Sequence, residues 1–143
     1  IVLHFKREEL EFIQRISPLF AKSPRTINSY INIYRIIRSH RSLEIADQSK
    51  LDEYLPVMLI LAVIVGYNEQ APEFIRKLNG EKPDTIFRTW LEKMDEPVAS
   101  AESNFRKLNK EILALVDAMV LDKPLYEFKK NLALISRFSF RSI

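Results

Sequence analysis

The sequence predicts an all-α protein, a single compact multi-helix domain of about seven helices packed around one buried central helix. Three observations carry that prediction. Apolar residues recur three and four apart along most of the chain, whereas strict alternation is rare. Gly66 and Gly80 are the only glycines and both fall where helices would stop, while the seven prolines lie at or near the starts and ends of the same segments. The 143 residues match one ordinary domain, no low-complexity linker divides them, and no period of about twenty to fifty residues recurs.

Taken in order, the pattern places helices at roughly 6–21, 24–40, 50–66, 71–79, 84–94, 99–121 and 124–134. Ser23 is a favoured N-cap for the second, and Pro24 suits the following position because its missing N–H has no helical partner anyway. At about 100° per residue, Ile27, Tyr30, Ile31, Ile33, Tyr34 and Ile37 share one arc of that helix, with Asn28, Ser29, Asn32 and Ser39 opposite. The third contains LPVMLILAVIVGY, residues 55–67, with Leu59 near its middle. This run has no polar side, falls well short of the roughly 20 residues that span hydrocarbon, and is bracketed by Asp52, Glu53 and Glu69. It therefore reads as a helix covered on all sides. Trp90 joins Ile86, Phe87, Leu91 and Met94 on a core-facing stripe, and Asp95 and Glu96 before Pro97 read as a helix end. The segment from Ala99 to Leu121 is expected to be the spine of the domain, Asp122 the N-cap of the next helix, and the closing ISRFSF an extended segment.

Composition narrows the chemistry. With 47% hydrophobic and 29% charged residues the chain is neither disordered nor membrane-like in composition. Cysteine is absent, which excludes disulfides, thiolate nucleophiles and cysteine metal sites and makes the cytoplasm the default location. A net charge of +3 and a pI near 9.2 are only mildly basic. His4 and His40 have no ligand pattern around them, so no metal site is expected. Ser17, Ser103 and Ser136 lack a nucleophile-elbow context. The start IVLHF has no leader character and the end ISRFSFRSI is apolar, so the chain reads as part of a larger one.

Arg25 is the candidate binding residue. It lies in the first turn of its helix, where the dipole disfavours a cation, so something else should hold it there. A phosphate would do so, because helix N-terminal amides and a guanidinium both attract an anion. A carboxylate on the preceding helix, Glu8, Glu9 or Glu11, would serve as well.

The stretch ISPLFAKSPRTINSYINIYRIIRS, residues 16–39, resembles a segment toward the C-terminal end of KAP-type P-loop NTPases and related bacterial proteins. There Ser-Pro-Arg precedes a helix reading roughly Arg-Phe-x-Asn-x-Tyr-Arg-Leu-Ile. The matching residues are Ser23, Pro24, Arg25, Asn32, Tyr34, Arg35, Ile36 and Ile37; Ser29 and Tyr30 depart from the usual basic-aromatic pair. MLILAVIVGYNEQAPEFIRKL and SRFSF resemble further segments in the same order. In that family, and in the similar AAA+ ATPases, a helical lid follows the nucleotide-binding core, and the arginine opening one lid helix, sensor 2, reaches the β/γ-phosphates. The resemblance implies that role for Arg25, a lid-like helix pair in residues 1–42, a helical core in 43–143, and a nucleotide-binding core elsewhere in the parent chain as partner. ATP and Mg²⁺ are implied for that parent, and a homo-oligomer is left open. No G-x-x-x-x-G-K-[ST] occurs here, so this chain alone is expected neither to hydrolyse ATP nor to bind it tightly.

The alternative is a helical nucleic-acid-binding or protein-interaction module. Arg35, Arg38 and Arg41 recur every third residue and would form its basic patch. Against this, cations are favoured at a helix C-terminus in any case, and Glu44, Asp47, Asp52 and Glu53 follow closely.

Overall fold

The computed structural model describes residues 5–41, 52–94 and 104–142. The described residues are helical almost throughout: α1 (Arg7–Ile16), α2 (Pro24–Arg41), α3 (Tyr54–Gly66), α4 (Ala71–Gly80), α5 (Phe87–Met94), α6 (Asn104–Leu115), α7 (Ala118–Leu121), α8 (Tyr126–Lys129) and α9 (Leu132–Ser142). A 3₁₀ turn, Ser17–Leu19, joins α1 to the approach of α2. One isolated antiparallel bridge links Ile86 to Pro124.

The core is built on α3. Every residue from Tyr54 to Val65 is buried, Leu59 completely. Because the helix has no polar face it can only be stable when wrapped. The wrapping comes from α1, α2, α4, α8, α9 and the 3₁₀ turn. Among the described residues no helix is long and apolar enough to cross a membrane.

Backbones approach closely at the end of α3. A β-carbon built on Gly66 would lie 1.7 Å from the Leu19 carbonyl oxygen and 2.8 Å from the Phe20 Cα. Only glycine lets α3 reach the preceding turn, and Leu19 and Phe20 are themselves buried. Phe20 stacks on Tyr30 with ring centroids 3.8 Å apart, and the Tyr30 hydroxyl donates to the Met58 carbonyl at 2.8 Å. The turn before α2, α2 itself and α3 are thereby locked together. Trp90 is buried beside Phe74 and Phe87, where its sequence stripe places it.

Three expectations are corrected. The closing ISRFSF is helical, part of α9, with Leu132, Ile135 and Ser139 buried at helical spacing and the Ser139 hydroxyl donating to the Ile135 carbonyl at 2.5 Å. Six alternating residues fit either period, and packing of α9 on α2 and α3 decides for the helix. The expected spine stops at Leu115, and α7 begins after Asp117, whose extended backbone (φ −80°, ψ 172°) turns the chain at the α7 N-cap. Residues 95–103, the first part of that expected spine among them, lie outside the described residues. Asp122 closes α7 at its C-cap instead of opening the next helix, and its carboxylate takes Arg88 at 3.3 Å.

Candidate functional site

The mouth of α2 is shaped by Ser23 and Thr26. The Thr26 amide donates to Ser23 Oγ at 3.2 Å, and the Ser23 amide donates to Thr26 Oγ1 at 3.0 Å. This reciprocal cap satisfies two of the amides that a helix start leaves open. Pro24 has none, so the Arg25 N–H is the amide of this turn without an acceptor among the described residues. The sequence expectation of several open amides thus contracts to one. The attraction for an anion here must come mainly from side chains.

Those side chains are of one sign. Arg25 is exposed, and none of Glu8, Glu9 and Glu11 pairs with it. It lines a cleft of about 450 Å³ with Lys22, Ser23, Thr26, Ser29 and Asn68. The cleft wall thus carries two cations, three hydroxyls and a carboxamide, and no carboxylate. Lys22 is steadied by the Tyr67 ring, 4.9 Å from its Nζ. Burial and a hydrogen bond to Glu111 push the Tyr67 hydroxyl up to about 12, so the ring stays a neutral phenol. Such a donor set suits a multivalent oxyanion.

Arg25, Asn32 and Arg35, three residues of the sequence motif, lie on one exposed side of α2 together with Asn28 and Ser39. The structure therefore brings Arg25 and Arg35 onto a common face, about 15 Å apart along the helix. None of the three is needed for packing. Ile27, by contrast, is 41% exposed although its position falls on the apolar arc.

The patch expected from Arg35, Arg38 and Arg41 does not form as a continuous surface. Three residues turn a helix by about 300°, so successive members of such a series drift around the axis. Arg35 faces outward, while Arg38 swings inward and is buried. Its Nε and Nη2 hold Glu9 Oε2 and Oε1 at 2.8 and 3.0 Å. The Tyr34 hydroxyl donates to Glu9 Oε2 at 2.5 Å, the Lys6 amide donates to Oε1 at 2.9 Å, and the Tyr54 ring lies 4.6 Å from the Arg38 guanidinium. The side chain of Arg41 lies outside the described residues.

Burial pushes the Glu9 carboxyl up, but the bonds from Arg38, the Lys6 amide and Tyr34 outweigh it and hold the group below its ordinary value. Burial, and then the Glu9 carboxylate, push the Tyr34 hydroxyl well above the phenol range. This cluster pins α1 to α2. Sequence reasoning missed its role, yet a signal was there: Glu9 shares the buried face of α1 with Phe12, Ile13 and Ile16, at helical spacing from all three. A carboxylate on an apolar stripe calls for a buried cation.

Among the described residues no three acidic or histidine side chains converge as a metal site. No protein-family model, curated protein or solved structure matches this chain.

Proposed function

We propose that this chain is a lid-like helical domain that works against a P-loop nucleotide-binding core and uses Arg25 to sense the β/γ-phosphates held there. The observation that carries the proposal is the position of Arg25: exposed, without an ion pair among the described residues, and set in a cleft whose polar wall is cationic and hydroxylic. A first-turn cation gains nothing from its own helix, so a site that keeps it free of carboxylates is organised for an external anion. The family resemblance of the Ser23–Pro24–Arg25 motif names the anion as nucleotide phosphate.

The nucleotide supplies the triphosphate charge when bound to the core. Arg25 offers a bidentate fork to its terminal oxygens, and Lys22, held over Tyr67, adds a point charge beside it. The capped turn at Ser23 and Thr26 fixes the guanidinium to rigid helix instead of a loop. Since α2 is locked to α3 through Tyr30 and Met58, a pull on Arg25 is transmitted to the whole domain. Loss of the terminal phosphate removes the charge that favours the docked lid.

A nucleic-acid role would rely on Arg25, Asn32 and Arg35 alone, because Arg38 is committed to Glu9. That leaves a short, sparse stripe for phosphate tracking.

The test joins two measurements. Titration of the chain with tripolyphosphate should move the Arg25 and Thr26 amide resonances with an apparent affinity of about millimolar strength, and Arg25→Ala should abolish the shift. In the parent protein, Arg25→Ala should lower ATP turnover by about tenfold or more, as for other guanidinium groups on transferring phosphate. A parent coding sequence without a Walker A motif overturns the proposal.

A further inference from the structure

A second concave surface lies between α1, the start of α3 and the corner joining α6 to α7, a groove of about 300 Å³. Its floor is apolar, formed by Phe12 and Leu55, and Met119 stands 60% exposed at its lip. Its rim is acidic. Glu8, Glu11, Asp52 and Asp117 line it with one cation, Arg15, which is tied to Asp117 at 2.5 Å, while Asp52 takes Lys123 at 3.1 Å and Glu8 and Glu11 carry the exposed charge. Glu8 has no ion pair among the described residues, and Glu11 has only the exposed Arg7 one turn before it.

The complement to this surface is on the same chain. Helix α2 runs for 18 residues without an acidic side chain. On the outward side of its second half Ile36 is 47% exposed next to exposed Arg35, with Asn32 one turn earlier. An apolar knob flanked by a guanidinium is the shape and charge that an apolar floor with a carboxylate rim accepts.

We propose that the groove receives the outward face of α2 from a second copy of the chain, with Ile36 entering over Phe12, Leu55 and Met119 and Arg35 meeting Glu8 and Glu11. The two patches are different surfaces of one molecule, so each copy presents both halves of the contact. The phosphate site at Arg25 is not part of it.

Sedimentation analysis of the wild-type chain tests the contact. Association is expected at a protein concentration of about 0.1 mM in low salt, weakening as added salt screens the rim. Arg35→Glu on one side and the double variant Glu8→Lys/Glu11→Lys on the other should each be monomeric and cooperatively folded, because all three side chains are exposed. Mixed in equal amounts, the two variants should associate in 1:1 stoichiometry, since the unaltered groove of the first meets the unaltered α2 face of the second and the two altered surfaces carry opposite charge. A wild type that stays monomeric to about 1 mM in low salt overturns the proposal, as does wild-type association by either variant or a mixture that stays monomeric. The tripolyphosphate titration reads a separate surface, so its outcome is independent of this one.

Discussion

Arg38 on α2 grips Glu9 on α1 through two parallel hydrogen bonds of 2.8 and 3.0 Å in a site where the Glu9 side chain has no solvent exposure. With Tyr34 and the Lys6 amide as further donors, every lone-pair direction of the carboxylate is engaged. A buried pair of this kind need not be more stabilising than an apolar one, but half of it is costly. Arg38→Met is therefore expected to destabilise the domain by about 3–5 kcal/mol in urea denaturation, because Glu9 is left buried and unpaired. Glu9→Leu combined with Arg38→Met should recover most of that loss. Wild-type stability of Arg38→Met alone would place Arg38 in solvent and restore the basic-patch interpretation.

Protonation of the same cluster sets a pH dependence. Glu9 has a folded-state pKa below its ordinary value of 4.5, so its contribution is fully present above that value and is lost as pH falls through the folded one. Tyr34 has a folded-state pKa raised above its ordinary 10.0, so its contribution is present below pH 10.0 and is lost as pH rises toward the folded value. Melting temperature against pH should fall at both ends. Glu9→Gln should flatten the acid limb specifically, and an unchanged acid limb would remove Glu9 as its source.

The two glycines should respond to alanine in opposite directions. Gly66→Ala forces a β-carbon into the Leu19 backbone and is expected to cost about 1–3 kcal/mol or more despite alanine's better helix propensity. Gly80 has nothing within 4 Å of the added atom and no positive φ, so Gly80→Ala should be stabilising by about 0.4–1 kcal/mol. Thermal melts of the two variants side by side decide it; equal shifts would mean that α3 does not meet the 3₁₀ turn as described.

Leu59 lies in the middle of the wrapped helix with no solvent exposure. Leu59→Asp should abolish cooperative unfolding by circular dichroism, because an unpaired buried carboxylate costs several kcal/mol against a total of about 5–15. A cooperative melt at the wild-type temperature would put α3 at the surface.

Arg25→Ala should leave stability within about 0.5 kcal/mol of wild type, as expected for an exposed side chain without a partner. The loss should appear only in the phosphate titration. A drop of about 2 kcal/mol or more in urea denaturation would make Arg25 a structural residue and remove it from the phosphate site.

The sequence by itself determined the all-α class, the buried central helix, the Ser23 cap and the helix stops at Gly66 and Gly80, because each follows from local spacing or backbone chemistry. It also marked Arg25 as a residue with no local reason for its place. What tertiary structure decided were the matters in which two periodicities or two partners compete. ISRFSF reads equally well at either period, and only α2 and α3 beside it select the helix. Asp117 is acceptable inside a helix or at a cap, and the fold places it at the α7 N-cap, where Arg15 of α1 reaches it. Arg38 looks like its neighbours Arg35 and Arg41 in the sequence, yet it is buried because Glu9, 29 residues away, lies across from it. Hydrophobic pattern reports which side of a helix is apolar; it does not report which charged group another helix brings to that side, and burial of a charge depends on that partner.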